Sequence, residues 1–172
     1  MKTLKQFINE NTPVPISVAI GRFQPFHAGH YKMIEIMSQK PMILIVKGKG
    51  TSDDKNKNPL SAEDQERLIR KAVPNAEIRI VQNANLHAIL FHLEKNGEYK
   101  VKEILAGDDR IESYKRLVAK TERVGVDVVL TPRVTSATKV REAIRSGDEA
   151  TFKKLMPIQL HSEWDFLREK IN

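Results

Sequence analysis

The chain has 172 residues, enough for one domain with a sizeable core, and its 40% hydrophobic and 30% charged residues exclude wholesale disorder. With 29 Lys and Arg against 22 Asp and Glu it carries a formal charge of +7, which suits a polyanionic partner: nucleic acid, an anionic membrane or a phosphorylated small molecule. It contains no cysteine, so disulfide scaffolds, cysteine-ligated zinc and thiol chemistry are excluded.

Residues 1–15 read as an N-terminal extension, with residues 16–172 as one domain. "MKTLKQFINE" can form an amphipathic turn or two with Leu4, Phe7 and Ile8 on one side, and "NTPVP" breaks it. "ISVAI" (Ile16–Ile20) predicts a buried strand, followed by a helix through "AGHYKMIEIMSQ" (Ala28–Gln39). "MILIVK" (Met42–Lys47) predicts a second strand, leading into a Gly/Lys/Asn-rich loop, Gly48–Pro59. Its lysines are mixed with Asp53 and Asp54 and lack interleaved aromatics, which favours a substrate lid over a single-strand nucleic-acid contact. Ser61 is placed to cap the helix "AEDQERLIRKAV", with acids in its first turn and bases in its last. "EIRIV" (Glu77–Val81) is a third strand and "NLHAILFHLEKNG" a helix ending at Gly97. "KEILAG" (Lys102–Gly107) is a fourth strand with the helix "RIESYKRLVAK" behind it. "DVVLTP" (Asp127–Pro132) is a fifth, followed by "SATKVREAIRSG", a helix closed by Gly147. The tail, Asp148–Asn172, reads as helical, with Trp164 and Phe166 either packing on the sheet or stacking on a base.

Strands alternating with helices predict an α/β fold: a Rossmann-like parallel five-stranded sheet with helices on both faces and a C-terminal helical tail. In such sheets ligands bind at the carboxyl ends of the strands, near the switch in strand order. The informative loops are therefore those after Ile20, Val46, Ala106 and Leu130. The longest apolar run, Met42–Val46, is too short to span a bilayer, and the N-terminus lacks the apolar core of a secretory signal. The expectation is a soluble cytoplasmic protein.

"IGRFQPFHAGH" (Ile20–His30) concentrates unusual residues in one turn. Gly21 directly after a strand allows a sharp turn and close approach of a ligand, and Arg22 supplies a fork suited to phosphate. His27 and His30 lie three apart at a helix start, so both can face one anion together with the free N–H groups there, and Gly29 removes a side chain that would crowd it. Zinc would require a third ligand, and no nearby Cys, Asp or Glu has the spacing. A second cluster follows the fifth strand. Ser136 can cap the helix, Thr138 can bind phosphate oxygens, and Arg141 one turn on can reach the same anion.

"GRFQPFHAGH" resembles the first signature of the H-x-G-H nucleotidylyltransferase superfamily, and "SATKVREAI" resembles its second. The archaeal-type nicotinamide mononucleotide adenylyltransferases give the nearest comparison. "KNPLSAEDQERLI" resembles the Asn-Pro-Phe stretch of that branch, with Asn58 and Arg67 at matching positions and Leu60 in place of Phe. "AGDDR" resembles the superfamily's Gly-x-Asp, so Gly107 with Asp108 or Asp109 would meet a ribose or orient a substrate, unless the acids simply cap a helix.

The resemblance implies an adenylyltransferase-like enzyme. It would transfer AMP from ATP, with Mg²⁺, to a phosphorylated acceptor and release pyrophosphate. Nicotinamide mononucleotide, giving NAD, is the first candidate acceptor. Pantetheine phosphate, flavin mononucleotide, a CTP-dependent alcohol phosphate, and a non-catalytic nucleotide or nucleic-acid binder stay open. His27, His30 and Arg141 would be catalytic. Gly21, Arg22, Phe23, Lys47, Gly107, Asp108, Asp109, Ser136 and Thr138 would hold the nucleotide, and Asn58 and Arg67 the acceptor. The protein itself would supply no metal cage, the Mg²⁺ being held by the triphosphate and water. A homo-oligomer is compatible with this reading. "MKTLKQFINE" also resembles the head-targeting peptides of internal proteins of large tailed phages, which are cut after Leu/Ile-x-Glu; Ile8-Asn9-Glu10 matches. That would place the protein in the phage-infected host cytoplasm or in a virion.

Overall fold

In the computed structural model residues 12–48 and 53–172 are described. The expectations for residues 1–11, including the amphipathic leader and the Ile8-Asn9-Glu10 cleavage sequence, lie outside them, as do residues 49–52 of the predicted lid.

Strand β1 (Val14–Gly21) begins two residues before the expected boundary at Ile16. The reason is a second pairing partner: Val14 lies opposite Tyr99 of β4 (Tyr99–Ala106), and its N–H donates to the Glu98 carbonyl at 2.9 Å. Strand β2 (Lys40–Val46) pairs on the other side of β1, with Ile20 opposite Leu44. With β3 (Glu77–Val81) and β5 (Asp127–Leu130) the sheet is wholly parallel, in the order β3-β2-β1-β4-β5. Central strands covered on both faces carry continuous apolar runs, and Met42–Val46 is buried throughout.

Alternation along each strand divides the core in two. Ile43 and Ile45 face α1 (Ala28–Glu35), α2 (Ala62–Ala72) and α5 (Ala137–Arg145), packing with Phe26, Leu68 and Ile144. Met42 and Leu44 face the opposite side, against Leu86 and Leu90 of α3 (Leu86–Glu94), with α4 (Ile111–Lys120) beside them. The tail resolves into α6 (Glu149–Leu155), a 3₁₀ turn (Ile158–Glu163) and α7 (Trp164–Ile171). Trp164 is buried on the first face with its ring centroid 5.0 Å from that of Phe152, so it belongs to the core and not to a base-stacking surface.

Helix ends follow their local chemistry. Ser61 caps α2 in a capping box with Asp64, and Gly147 closes α5 at φ +74°, where a Cβ would be strained. α1 stops at Glu35 and not at Gln39, because the next backbone groups are captured elsewhere. Ser38 N–H donates to Glu103 at 2.9 Å and Gln39 N–H to Ser17 Oγ at 3.0 Å. The Ser17 hydroxyl also donates to the Glu103 carboxylate, so one buried acid ties β1, β4 and the approach to β2 together. No helix among the described residues is long and apolar enough to cross a membrane.

Glu103→Ala removes the acceptor shared by Ser17 and Ser38 and leaves the buried Ser17 hydroxyl unpaired. We predict a stability loss on the order of 3 kcal/mol in urea denaturation, with unchanged strand content by circular dichroism.

Candidate active site

A cleft of about 850 Å³ opens where β1, β2, β4 and β5 end, lined by Gly21, Val46, Ala106 and Thr131 among others. Its position follows from topology. After β3 the chain crosses to the other side of β1, so the connections from β1 and β4 leave in opposite directions and part the surface between them.

The segment after β1 forms one wall. The residue in the left-handed region is Phe23, at φ +47°, and not Gly21. Gly21 instead makes room: a Cβ there would lie 3.3 Å from the Phe23 ring. Phe23 folds back into the core, 3% exposed, with its ring edge-on to His30 at 4.8 Å. Phe23 also lines the cleft, so its ring supports a histidine from within the cleft wall. Gly29 likewise clears space for protein, since a Cβ would meet His27 Cε1 at 3.0 Å and the Thr135 N at 3.6 Å.

His27 is the N-cap of α1. Its Nδ1 accepts from the Gly29 N–H at 3.1 Å, and His30 Nδ1 accepts from the His27 N–H at 3.3 Å. Each imidazole thus spends its acceptor nitrogen on the helix start, which leaves Nε2–H as the free donor of the neutral ring. The rings stack with centroids 3.7 Å apart. Burial pulls His27 down to about 4, and burial with the adjacent His27 charge pulls His30 well below the ordinary histidine value. Both are neutral at pH 7.

The facing wall is the start of α5. Ser136 Oγ accepts from the Lys139 N–H at 3.3 Å as helix cap. Arg141 is 7% exposed, with Nη1 donating to the Gln24 carbonyl at 2.6 Å and Nη2 to Thr138 Oγ1 at 3.3 Å. Its Nε and the Thr135 hydroxyl are buried without a hydrogen-bond partner among the described residues. Burial, then the charges of Arg145 and Arg22, lower the Arg141 value. Arg22, Arg141 and Arg145 gather at one cleft, and with Lys57, Arg110 and Arg133 they outnumber its two lining carboxylates, Asp108 and Asp109, which suits an anion.

The remaining expected residues divide. Gly107, Asp108 and Asp109 line the cleft, and neither acid caps a helix, because the α4 cap position is Arg110 and carries no side-chain cap bond. Lys47, Asn58 and Arg67 are not among the lining residues. Lys47 leaves the strand with its N–H on the Val81 carbonyl. Asn58 is buried behind Arg22, its Oδ1 accepting from Arg22 Nη1 at 3.4 Å. Arg67 is drawn away by the buried Glu163, at 2.7 Å, and lies over the Phe166 ring. The structure adds Gln24, Lys57, Thr135 and Arg145, which the sequence reading did not single out. Arg145 was legible as the residue four after Arg141 on one helix face; the other three carry no local signal. Among the described residues no group of three His, Asp or Glu could hold a metal ion.

Residues 18–149 match the cytidylyltransferase-like family. The chain belongs to that family. Two relatives share the name nicotinamide-nucleotide adenylyltransferase. That of Thermococcus kodakarensis is 26% identical over 156 residues, covering 87% of this chain and 80% of the relative. That of Methanolobus tindarius is 38% identical over 61 residues, 35% of each chain. A bifunctional NMN adenylyltransferase/ADP ribose pyrophosphatase from Francisella tularensis shares the fold, with a TM-score of 0.62 at 23% identity. This family member covers 49% of the Francisella chain, and 91% of its own length is matched.

His27 has a folded value of about 4 against about 6.5 when unfolded, so between these pH values the unfolded chain binds more protons. Stability should therefore fall as pH drops through that window, by on the order of 3 kcal/mol for His27. His27→Asn keeps a capping side chain, and we predict that it flattens the slope between pH 6.5 and 4.5, read by denaturant titration at each pH.

Proposed function

We propose that the protein is a nicotinamide-nucleotide adenylyltransferase, transferring AMP from ATP to nicotinamide mononucleotide to give NAD and pyrophosphate. The observation that carries the reading is the pairing, at one cleft, of two stacked imidazoles with a buried arginine held by the Gln24 carbonyl and Thr138. The names of the archaeal relatives support the acceptor.

In this reaction an oxygen of the acceptor phosphate attacks the α-phosphorus of ATP. The bond from that phosphorus to the α,β-bridging oxygen breaks, and pyrophosphate leaves with the electron pair. The protein's task is positioning and charge stabilisation. His27 and His30 donate Nε2–H bonds to the phosphate oxygens on which charge accumulates. Their low proton affinity at rest leaves them as uncharged donors, and the approach of negative charge strengthens those bonds. Arg141, Thr138, Ser136 and Arg22 hold the departing β- and γ-phosphates. The Arg141 guanidinium is desolvated already in the folded protein, so its orientation costs little reorganisation during the reaction. Mg²⁺, held by the triphosphate and water, would supply charge neutralisation there. Asp108 and Asp109, which also line the cleft, would accept hydrogen bonds from hydroxyl groups of a ribose.

Chromatographic detection of NAD from Mg·ATP and nicotinamide mononucleotide tests the assignment. We expect product with the wild type and a fall in kcat of at least about 100-fold in His30→Ala. Product only with CTP would change the nucleotide donor, and product only with flavin mononucleotide or pantetheine phosphate would change the acceptor; near-normal turnover in His30→Ala would sink the mechanism.

A further inference from the structure

Gln24 is 5% exposed and sits between Arg22 and the histidine pair, yet its side chain does not turn toward the cleft chemistry. Its carboxamide pairs with one residue as a strand would. Oε1 accepts from the Leu60 N–H at 2.9 Å, and Nε2 donates to the Leu60 carbonyl at 3.0 Å. Its own carbonyl accepts from Arg141 at 2.6 Å. One buried residue therefore joins three segments remote in sequence: the turn after β1, the approach to α2 and the start of α5.

The segment thus held carries charge. Lys57 lines the cleft, and its ammonium is 3.4 Å from the exposed Asp54 carboxylate. The backbone below is shaped by Asp54, whose carbonyl accepts from the Asn58 N–H at 2.8 Å. At its far side the segment is held by Arg145, whose Nη2 donates to the Asn56 carbonyl at 2.8 Å. An apolar residue of the same volume would fill the space beside Leu60 but would fix neither the register of this segment nor its distance from Arg141. We propose that Gln24 is a positioning residue of the triphosphate site: by bridging Leu60 it places Lys57 against the same anion that Arg141 meets.

This inference rests on the adenylyltransferase reading. Its test is calorimetric titration of Mg·ATP into wild type, Gln24→Met, Lys57→Ala and the double variant, with steady-state kinetics on nicotinamide mononucleotide. Gln24→Met is expected to weaken ATP binding and raise the KM for ATP about 10-fold, with kcat and the acceptor KM changed less than about twofold. Lys57→Ala should weaken ATP in the wild-type background and add little to Gln24→Met. Should Gln24→Met fail to fold, Gln24→Glu provides the same test. Only its protonated carboxyl can donate to the Leu60 carbonyl, so its ATP affinity relative to wild type should recover as pH falls from about 8 to about 6. Unchanged ATP affinity in a folded Gln24 variant, a loss confined to kcat, or full additivity with Lys57→Ala overturns the inference alone. Absence of Mg·ATP binding and of product with the wild type overturns the adenylyltransferase reading and this inference with it.

Discussion

The site depends on how the first turn of α1 satisfies its own backbone. A helix start exposes N–H groups that must find acceptors, and here two of those acceptors are imidazole nitrogens of the same turn. That choice fixes two ring orientations and one tautomer at once. It also dictates neighbours: the His27 ring needs position 29 to lack a Cβ, and His30 needs an aromatic edge to rest against, which Phe23 provides. The two glycines and two phenylalanines of "GRFQPFHAGH" are thus largely structural support for a donor pair.

The sheet supplies what this turn cannot. Because β1 and β4 are adjacent while their connections diverge, the β1 turn and the start of α5 arrive on opposite sides of a single opening. Arg141 then becomes both a structural and an electrostatic element. Its hydrogen bond to Gln24 locks the two walls together, and its burial beside Arg22 and Arg145 stores a preference for an anion. The net charge of +7 gains meaning here, since part of the excess is gathered at one cleft and not merely spread over a solvated surface.

Much of the fold was legible because it follows local rules. β3 has the predicted ends, and the Ser61, Ser136 and Gly147 caps stand where their chemistry placed them. Departures arise where a distant group competes: Glu103 and Ser17 end α1 early, and β4 extends β1 back to Val14. His27, His30, Ser136, Thr138 and Arg141, singled out by their spacing, all line one cleft. Arg67 does not, since the carboxylate that takes it away lies 96 residues further along.

The sequence by itself determined the alternation of strands and helices, the helix caps and the types of residue gathered at the strand ends, because each depends on neighbours within a turn or two. Only the tertiary structure decided that Phe23 supports a histidine, that Glu163 holds Arg67 and that Gln24 joins three segments. Those outcomes depend on which remote partner wins a buried donor or charge, and desolvation makes that competition strong only after the chain has folded.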